Sequence, residues 1–145
     1  MRWSMKYSYY AKLPGTAKKD RIGGGYWLAT FQDGLIWLSN QGLTAQQWNV
    51  LARLMGRLNF DNYITVNQTA LAKELHTKKP NISTAIKKLV ELNIITEGPR
   101  AGLNKTYVLN PSLGLKGKQR QQKIIDYEEL RAKHKAKKQQ DKSEV

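Results

Sequence analysis

Apolar residues recur at helical spacing along the middle of the chain. Thr44 and Gln47 form a capping box, because a Thr hydroxyl at the N-cap accepts the amide three residues on and a Gln at that position reaches back to the N-cap amide. We therefore predict a helix that begins after Thr44 and ends near Asn59. The side chains that we expect on its buried stripe are Trp48, Leu51, Leu54, Met55 and Leu58.

Two shorter helices are predicted next, with the turn 76–79 between them. Asn67 is a favourable N-cap for the first helix, over residues 68–75. Pro80 suits the first turn of the second helix, where its missing amide costs nothing, and this helix is expected to end near Asn93. The expected inward residues are Ala70, Leu71 and Leu75 in the first helix and Ile82, Ala85, Ile86 and Leu89 in the second.

Three short β-prone segments follow or separate these helices. Ile64–Val66, Ile94–Thr96 and Lys105–Leu109 are predicted strands, and the Gly- and Pro-containing segment 98–104 is predicted to be the loop between the last two. The order helix, strand, helix, turn, helix, strand, loop, strand is that of a winged helix, in which two helices joined by a short turn form the helix-turn-helix unit. We therefore predict an α+β fold: a winged helix-turn-helix with an N-terminal β-hairpin and a C-terminal basic helix.

The N-terminal part of the chain has a different composition. Residues 1–25 mix basic, aromatic and glycine residues, and we expect a flexible basic and aromatic arm. Residues 26–38 contain two β-rich runs around Asp33-Gly34, a dipeptide that favours the type I′ turn of a hairpin, and a helix is the competing interpretation. We assign residues 26–112 to the winged-helix domain, including this hairpin.

The C-terminal tail, residues 113–145, is polar and basic. The segment Lys123–Lys138 lacks Gly and Pro, and Ile124, Tyr127 and Leu130 recur within it at three-residue steps. We predict a helix that frays into a disordered end. This tail either adds non-specific DNA affinity, forms a helix between subunits, or is simply solvated, as most charge runs are.

The charge of the chain indicates its partner more clearly than any motif does. The chain carries 25 Lys and Arg against 11 Asp and Glu, a formal net charge of +14. Such an excess suits a polyanion, because each cation can neutralise a phosphate and release a counterion, and a solvated basic surface is the alternative.

Candidate catalytic and metal-binding chemistry is sparse. The chain has no cysteine, and its two histidines, His76 and His134, are far apart, so thiolate catalysis is excluded and a zinc site is disfavoured. We expect no enzymatic activity, no metal and no cofactor. With no apolar run able to span a bilayer and no secretory signal at the N-terminus, a cytoplasmic protein without membrane contact is expected.

One side of the helix predicted to begin at Pro80 is polar and cationic. Helices that recognise DNA insert their N-terminal part into the major groove, where Asn pairs with adenine, Lys pairs with guanine and Thr contacts the thymine methyl group. A solvated amphipathic helix would explain Lys87 and Lys88, but not lysines at a helix N-terminus, which the helix dipole disfavours. The DNA-binding residues expected here are Lys78, Lys79, Asn81, Ser83, Thr84, Lys87 and Lys88.

The loop between the last two strands is the candidate wing. Arg100 is the only charged residue between Gly98 and Asn104, and an arginine at a wing tip can enter a narrow A·T-rich minor groove, where the negative potential is concentrated. The alternative for Arg100, an ordinary solvated loop arginine, is equally open. Lys105 follows and can bind phosphate. The DNA-binding residues expected here are Arg100, Asn104 and Lys105.

The apolar residues of the predicted hairpin have two possible uses. They form more apolar surface than a lone hairpin should expose, so we expect a homodimer in which they pack on a second subunit, together with the stripe at Ile124, Tyr127 and Leu130. The rival is a structural or adaptor protein that binds RNA or a protein partner, in which the aromatic members stack on bases. The residues concerned are Tyr26, Trp27, Phe31, Ile36 and Trp37.

Three segments match a known family pattern: LTAQQWNVLARLMGRLNFDNYITVNQTALAKEL, NISTAIKKLVELNIIT and KTYVLNPSLGLKGK. Together, from Leu43 to Lys118, they resemble the RepL family of plasmid replication proteins, and the middle segment is shared by many winged helices, including MarR-type regulators. The resemblance implies a winged helix that binds double-stranded DNA at a replication origin and engages host replication proteins, with Pro80–Leu92 as the sequence-reading helix. A plasmid or phage transcriptional regulator is the alternative, since a fold does not determine a function.

Overall fold

The computed structural model describes residues 9–12, 19–22, 28–100, 102–117 and 119–143. Strands β1 (Tyr9–Lys12) and β2 (Lys19–Ile22) form an antiparallel pair in which Tyr9 lies opposite Ile22. Part of the segment expected to be a flexible arm therefore has regular secondary structure. The rest of residues 1–25 lies outside the described residues.

The segment predicted as a hairpin is a helix. A two-residue strand, β3 (Ala29–Thr30), leads into α1 (Gln32–Ser39), so the hairpin prediction is wrong for residues 28–38, and Tyr26 and Trp27 lie outside the described residues. The reason is a tertiary contact. A Cβ atom on Gly34 would lie 3.2 Å from the Cα of Leu113, and the Phe31 amide donates to the Leu113 carbonyl at 3.1 Å. Gly34 thus allows a close approach between α1 and residues 112–113 instead of forming a turn.

Helix α2 (Ala45–Met55) begins where it was predicted to begin and ends earlier. The capping box is confirmed, because Thr44 Oγ1 accepts from the Gln47 amide at 3.2 Å and Gln47 Oε1 accepts from the Thr44 amide at 2.9 Å. Placing Trp48 in the core was wrong, since Trp48 is 37% exposed. Helix α2 packs against α4, and its buried residues are Val50, Leu51 and Leu54.

The helix-turn-helix unit was predicted almost entirely. Strand β4 (Tyr63–Val66) is followed by α3 (Gln68–Glu74), where Asn67 Oδ1 accepts from the Ala70 amide at 3.0 Å, and then by α4 (Lys79–Glu91). In α3 the buried residues are Leu71 and Ala72, so the inward orientation expected for Ala70 was wrong. In α4 all four predicted inward residues are buried: Ile82, Ala85, Ile86 and Leu89.

A three-stranded antiparallel sheet completes the winged helix. Strand β5 (Ile95–Glu97) pairs with β6 (Lys105–Leu109), which also pairs with β4, giving the order β4-β6-β5. A short strand, β7 (Gly114–Leu115), pairs with β3 and ties α1 to the domain. Helices α2 to α4 and this sheet share one core, so the chain has the α+β winged helix-turn-helix fold that the sequence predicted.

The tail helix, α5 (Arg120–Ser143), is longer than predicted and packs on its own domain. The Tyr127 side chain is only 1% exposed, its hydroxyl donates to Asn93 Oδ1 at 2.7 Å, and burial raises the pKa of this hydroxyl above its ordinary value. Tyr127 therefore cannot face a second subunit, and the expectation that it would do so was wrong. The described residues contain no helix long and apolar enough to cross a membrane.

Candidate nucleic-acid interface

Ion pairs hold the first helix of the helix-turn-helix against α2. The Glu74 carboxylate accepts from Arg57 and lies 3.3 Å from Arg53 Nη1. The hydrogen bond from Arg57 lowers the pKa of Glu74, and the charges of both arginines act in the same direction. In the turn that follows, His76 adopts a left-handed φ of 52°, and the Thr77 amide donates to the Ala72 carbonyl at 2.9 Å. These contacts fix the angle at which α4 leaves the turn.

Helix α4 presents one polar, cationic face to solvent. Its opposite side is buried in the core through Ile82 and Leu89, both 0% exposed. The exposed face contains every residue that the sequence placed there: Lys78, Lys79, Asn81, Ser83, Thr84, Lys87 and Lys88. None of these lysines forms an ion pair with a carboxylate of the described residues. The face can therefore offer four positive charges and several short polar groups to a polyanion.

Hydrogen bonds within the helix orient the two candidate base-reading side chains. Asn81 Nδ2 donates to Thr77 Oγ1 at 2.9 Å, and Thr84 Oγ1 donates to the Pro80 carbonyl at 2.9 Å. The first bond uses one of the two amide protons of Asn81, so Oδ1 and the other proton still suffice for a bidentate pair with adenine. Sequence reasoning did not assign a role to Thr77, although its spacing four residues before Asn81 was a usable signal.

The wing is the loop that joins β5 to β6. Its base is closed by the Gly98 amide, which donates to the Thr106 carbonyl at 2.7 Å. Arg100, Asn104 and Lys105 are all exposed, as predicted, and Ala101 lies outside the described residues. The wing also carries Leu103, which is 98% exposed and was not singled out. An apolar residue beside Gly102 in a polar loop was the available signal. The ten predicted residues thus form two groups, seven on the turn and α4 and three on the wing.

The aromatic platform expected for the RNA-binding rival is not present in residues 28–100. Trp37 lies on α1 rather than on a sheet, and Phe31 is covered by the Arg120 guanidinium, 4.5 Å from the ring centroid. Single-stranded RNA is commonly bound by aromatic residues spread over an exposed sheet face. The correction of the hairpin to a helix therefore removes the main support for that rival.

The comparison with protein families agrees with this geometry. Residues 41–102 match a family model described as the MarR family, a span that includes α2, the helix-turn-helix and most of the wing and covers less than half of the chain. No curated protein and no solved structure matches significantly.

The fold and this match together define the class of the domain. It is a winged helix-turn-helix of the DNA-binding type, similar to the MarR family. The match supports the MarR-like part of the resemblance described above. It gives no support to the part that concerns plasmid replication.

Proposed function

We propose that this protein is a transcriptional regulator that binds double-stranded DNA in a sequence-specific manner. The observation that carries the proposal is the exposed face of α4, which combines oriented amide and hydroxyl groups with unshielded lysines on a helix held rigidly by its buried side. Regulators need only occupy their site, and the similarity to the MarR family favours this role over replication initiation.

The residues of the two groups have different roles in this proposal. Asn81 and Thr84 contact base edges in the major groove, whereas Lys87 and Lys88 contact the flanking phosphates. At the start of α4, the lysines of the turn add to the positive end of the helix dipole and bind phosphate. On the wing, Arg100 enters the minor groove and Lys105 contacts the backbone.

Replication initiation remains the second candidate because of the resemblance at residues 105–118. The structure offers another explanation for part of that segment. The Asn62 side chain, which is fully buried, accepts from the Lys116 amide at 3.0 Å and donates to the Gly114 carbonyl at 3.1 Å, so these residues anchor the domain edge. Such packing does not require a replication partner, which is why we rank the regulator first.

We further propose that the protein binds DNA as a homodimer through α1. This helix exposes three large apolar side chains, Leu35, Ile36 and Trp37, of which Ile36 is 62% exposed, and so many on one short helix are typical of a protein interface. A two-fold dimer would match a repeated half-site. Sedimentation should show a dimer at micromolar concentration that Ile36→Glu dissociates, and a monomer at all concentrations, with and without DNA, would contradict this part of the proposal.

The test of sequence-specific binding is selection of a preferred duplex from a random library, followed by two variants. Asn81→Ala should cost about 1–3 kcal/mol on the preferred site and little on random duplex. Lys87→Ala should weaken both complexes alike. Equal losses on both duplexes for Asn81→Ala would show that α4 does not read the sequence.

The two candidate roles are separated in cells. A regulator should silence a promoter that contains the selected site, and it should not sustain a small replicon that carries its gene and flanking DNA. The opposite outcome, a replicon maintained by the full chain without promoter control, would favour the initiator.

A further inference from the structure

Two contacts determine the direction in which α5 crosses the domain. The Tyr127 hydroxyl donates to Asn93, two residues before β5, and His134 Nδ1 lies 3.2 Å from Oε2 of Glu97, the last residue of β5. From Tyr127 to His134 a helix rises about 10 Å. From Asn93 to Glu97, the end of β5, an extended chain spans at most about 13 Å. The two elements therefore run side by side in the same direction.

The wing begins where β5 ends, so the remainder of α5 continues past the base of the wing. Residues 135–143 extend the helix by about 13 Å beyond His134, roughly one and a half Debye lengths at physiological salt. The segment of α5 after His134, which we call the lysine segment, contains a single acidic residue among the described positions, Asp141. Its cations are Lys135, Lys137, Lys138 and Lys142, all exposed.

We propose that the lysine segment is a third DNA-contacting element, which binds backbone phosphates of the duplex flanking the site that the wing touches. This inference rests on the proposed DNA binding and extends it to residues outside the MarR-like span. A tail that simply left the domain would be a solvated charge run. The docked helix differs, because its anchors at Tyr127 and His134 fix the start of the lysine segment at Glu97, where the wing that carries Arg100 and Lys105 begins. Positive charges held near one end of the domain in this way attract a polyanion.

Two lysines of α5 form a matched pair for the test. Lys138 is four residues after His134 and so lies on the anchored side of the helix, about one turn further along. Lys133 is exposed on the same helix, five residues and about 140° away from Lys138. Either Lys→Gln change removes one charge and preserves helix propensity. Only the change at Lys138 should remove a phosphate contact.

The experiment measures the affinity of the full chain for a random-sequence duplex of about three helical turns as a function of salt. The wild-type slope should become shallower by about one in Lys138→Gln and stay unchanged in Lys133→Gln. Equal effects of the two changes would mean that only bulk charge matters, and an unchanged slope in Lys138→Gln would mean that the lysine segment makes no contact. Either result overturns the inference.

The anchor supplies a second, independent measurement. His134→Ala does not alter the formal charge of +14, in which histidine is counted as neutral, but it removes the contact with Glu97. The change should therefore also make the slope shallower. Circular dichroism should show that the helix persists. A wild-type slope in His134→Ala would show that docking at this point does not position the lysines. If the wild-type chain itself showed no salt dependence, the proposed DNA binding would fail, which is a distinguishable outcome.

Discussion

Helices α1 and α4 both pack on the same domain, but different contacts hold them there. The exposed side of α1 is apolar, whereas that of α4 is polar and cationic. The four buried residues of α4 follow a helical period in the sequence, and its outer side is polar and cationic. In α1 the buried residues are Gly34 and Leu38, and the outer side carries Leu35, Ile36 and Trp37. A local pattern in the sequence therefore specifies α4, whereas contacts with the distant residues 112–113 specify α1.

The difference between buried and exposed positions should produce the largest effect. Ile82→Ala removes a fully buried side chain from α4 and should lower the free energy of unfolding by about 2–5 kcal/mol, because transfer energy is lost and a cavity remains. The same change at Ile36, on the outer side of α1, should cost well under 1 kcal/mol in the monomer. Urea unfolding of the two variants measures both values, and a cost at Ile36 as large as that at Ile82 would mean that α1 is buried in the folded monomer.

One change in α1, Gly34→Ala, should stabilise the isolated helix and destabilise the protein. Gly34→Ala favours a helix by nearly 1 kcal/mol in a peptide of residues 28–40, on propensity alone. In the protein the new Cβ would lie 3.2 Å from the Cα of Leu113 and 3.3 Å from the Ser112 carbonyl oxygen, so we expect a loss of about 1 kcal/mol. Peptide circular dichroism and protein unfolding together decide the matter. A more stable protein would show that α1 is not held by the contact with residues 112–113.

The smallest of these effects concerns the polar side of α4. Thr77→Val keeps the shape of the side chain and removes the hydroxyl that accepts from Asn81, so Asn81 loses its orientation but not its base-pairing groups. Discrimination between preferred and random duplex should fall by a few fold, less than 1.4 kcal/mol. Thr65→Val is the matched control, at an exposed threonine of β4 to which the proposal assigns no DNA contact. A larger loss of discrimination in the control than in Thr77→Val would remove the positioning role of Thr77.

The parts of the fold that sequence predicted are those specified by neighbours in the chain. The N-caps at Thr44 and Asn67 and the strand Lys105–Leu109 were placed correctly, since each depends on side chains a few residues apart. The errors come from longer range. The turn preference of Asp33-Gly34 was overridden by a segment nearly eighty residues later, and the direction of α5 depends on Tyr127 meeting Asn93.

The candidate site shows the same division. All ten predicted residues are exposed where the helix-turn-helix and wing patterns put them. Periodicity could not reveal the hydrogen bond that orients Asn81, the exposed tip residue Leu103, or the contact of His134 on α5 with Glu97 at the start of the wing. These features depend on rotamers and on packing between elements, which binary patterns do not specify.

The central claim, that the cationic faces of α4 and the wing bind duplex DNA, is tested most directly by the salt dependence of binding to double-stranded DNA. With a formal charge of +14 and contacts to roughly six phosphates, the logarithm of the affinity should fall with the logarithm of the salt concentration at a slope near −5. Fluorescence anisotropy of a labelled duplex, titrated with the full chain from low to physiological salt, measures this slope. A steep line of this kind is the predicted result, and no binding, or binding that does not respond to salt, would contradict the account.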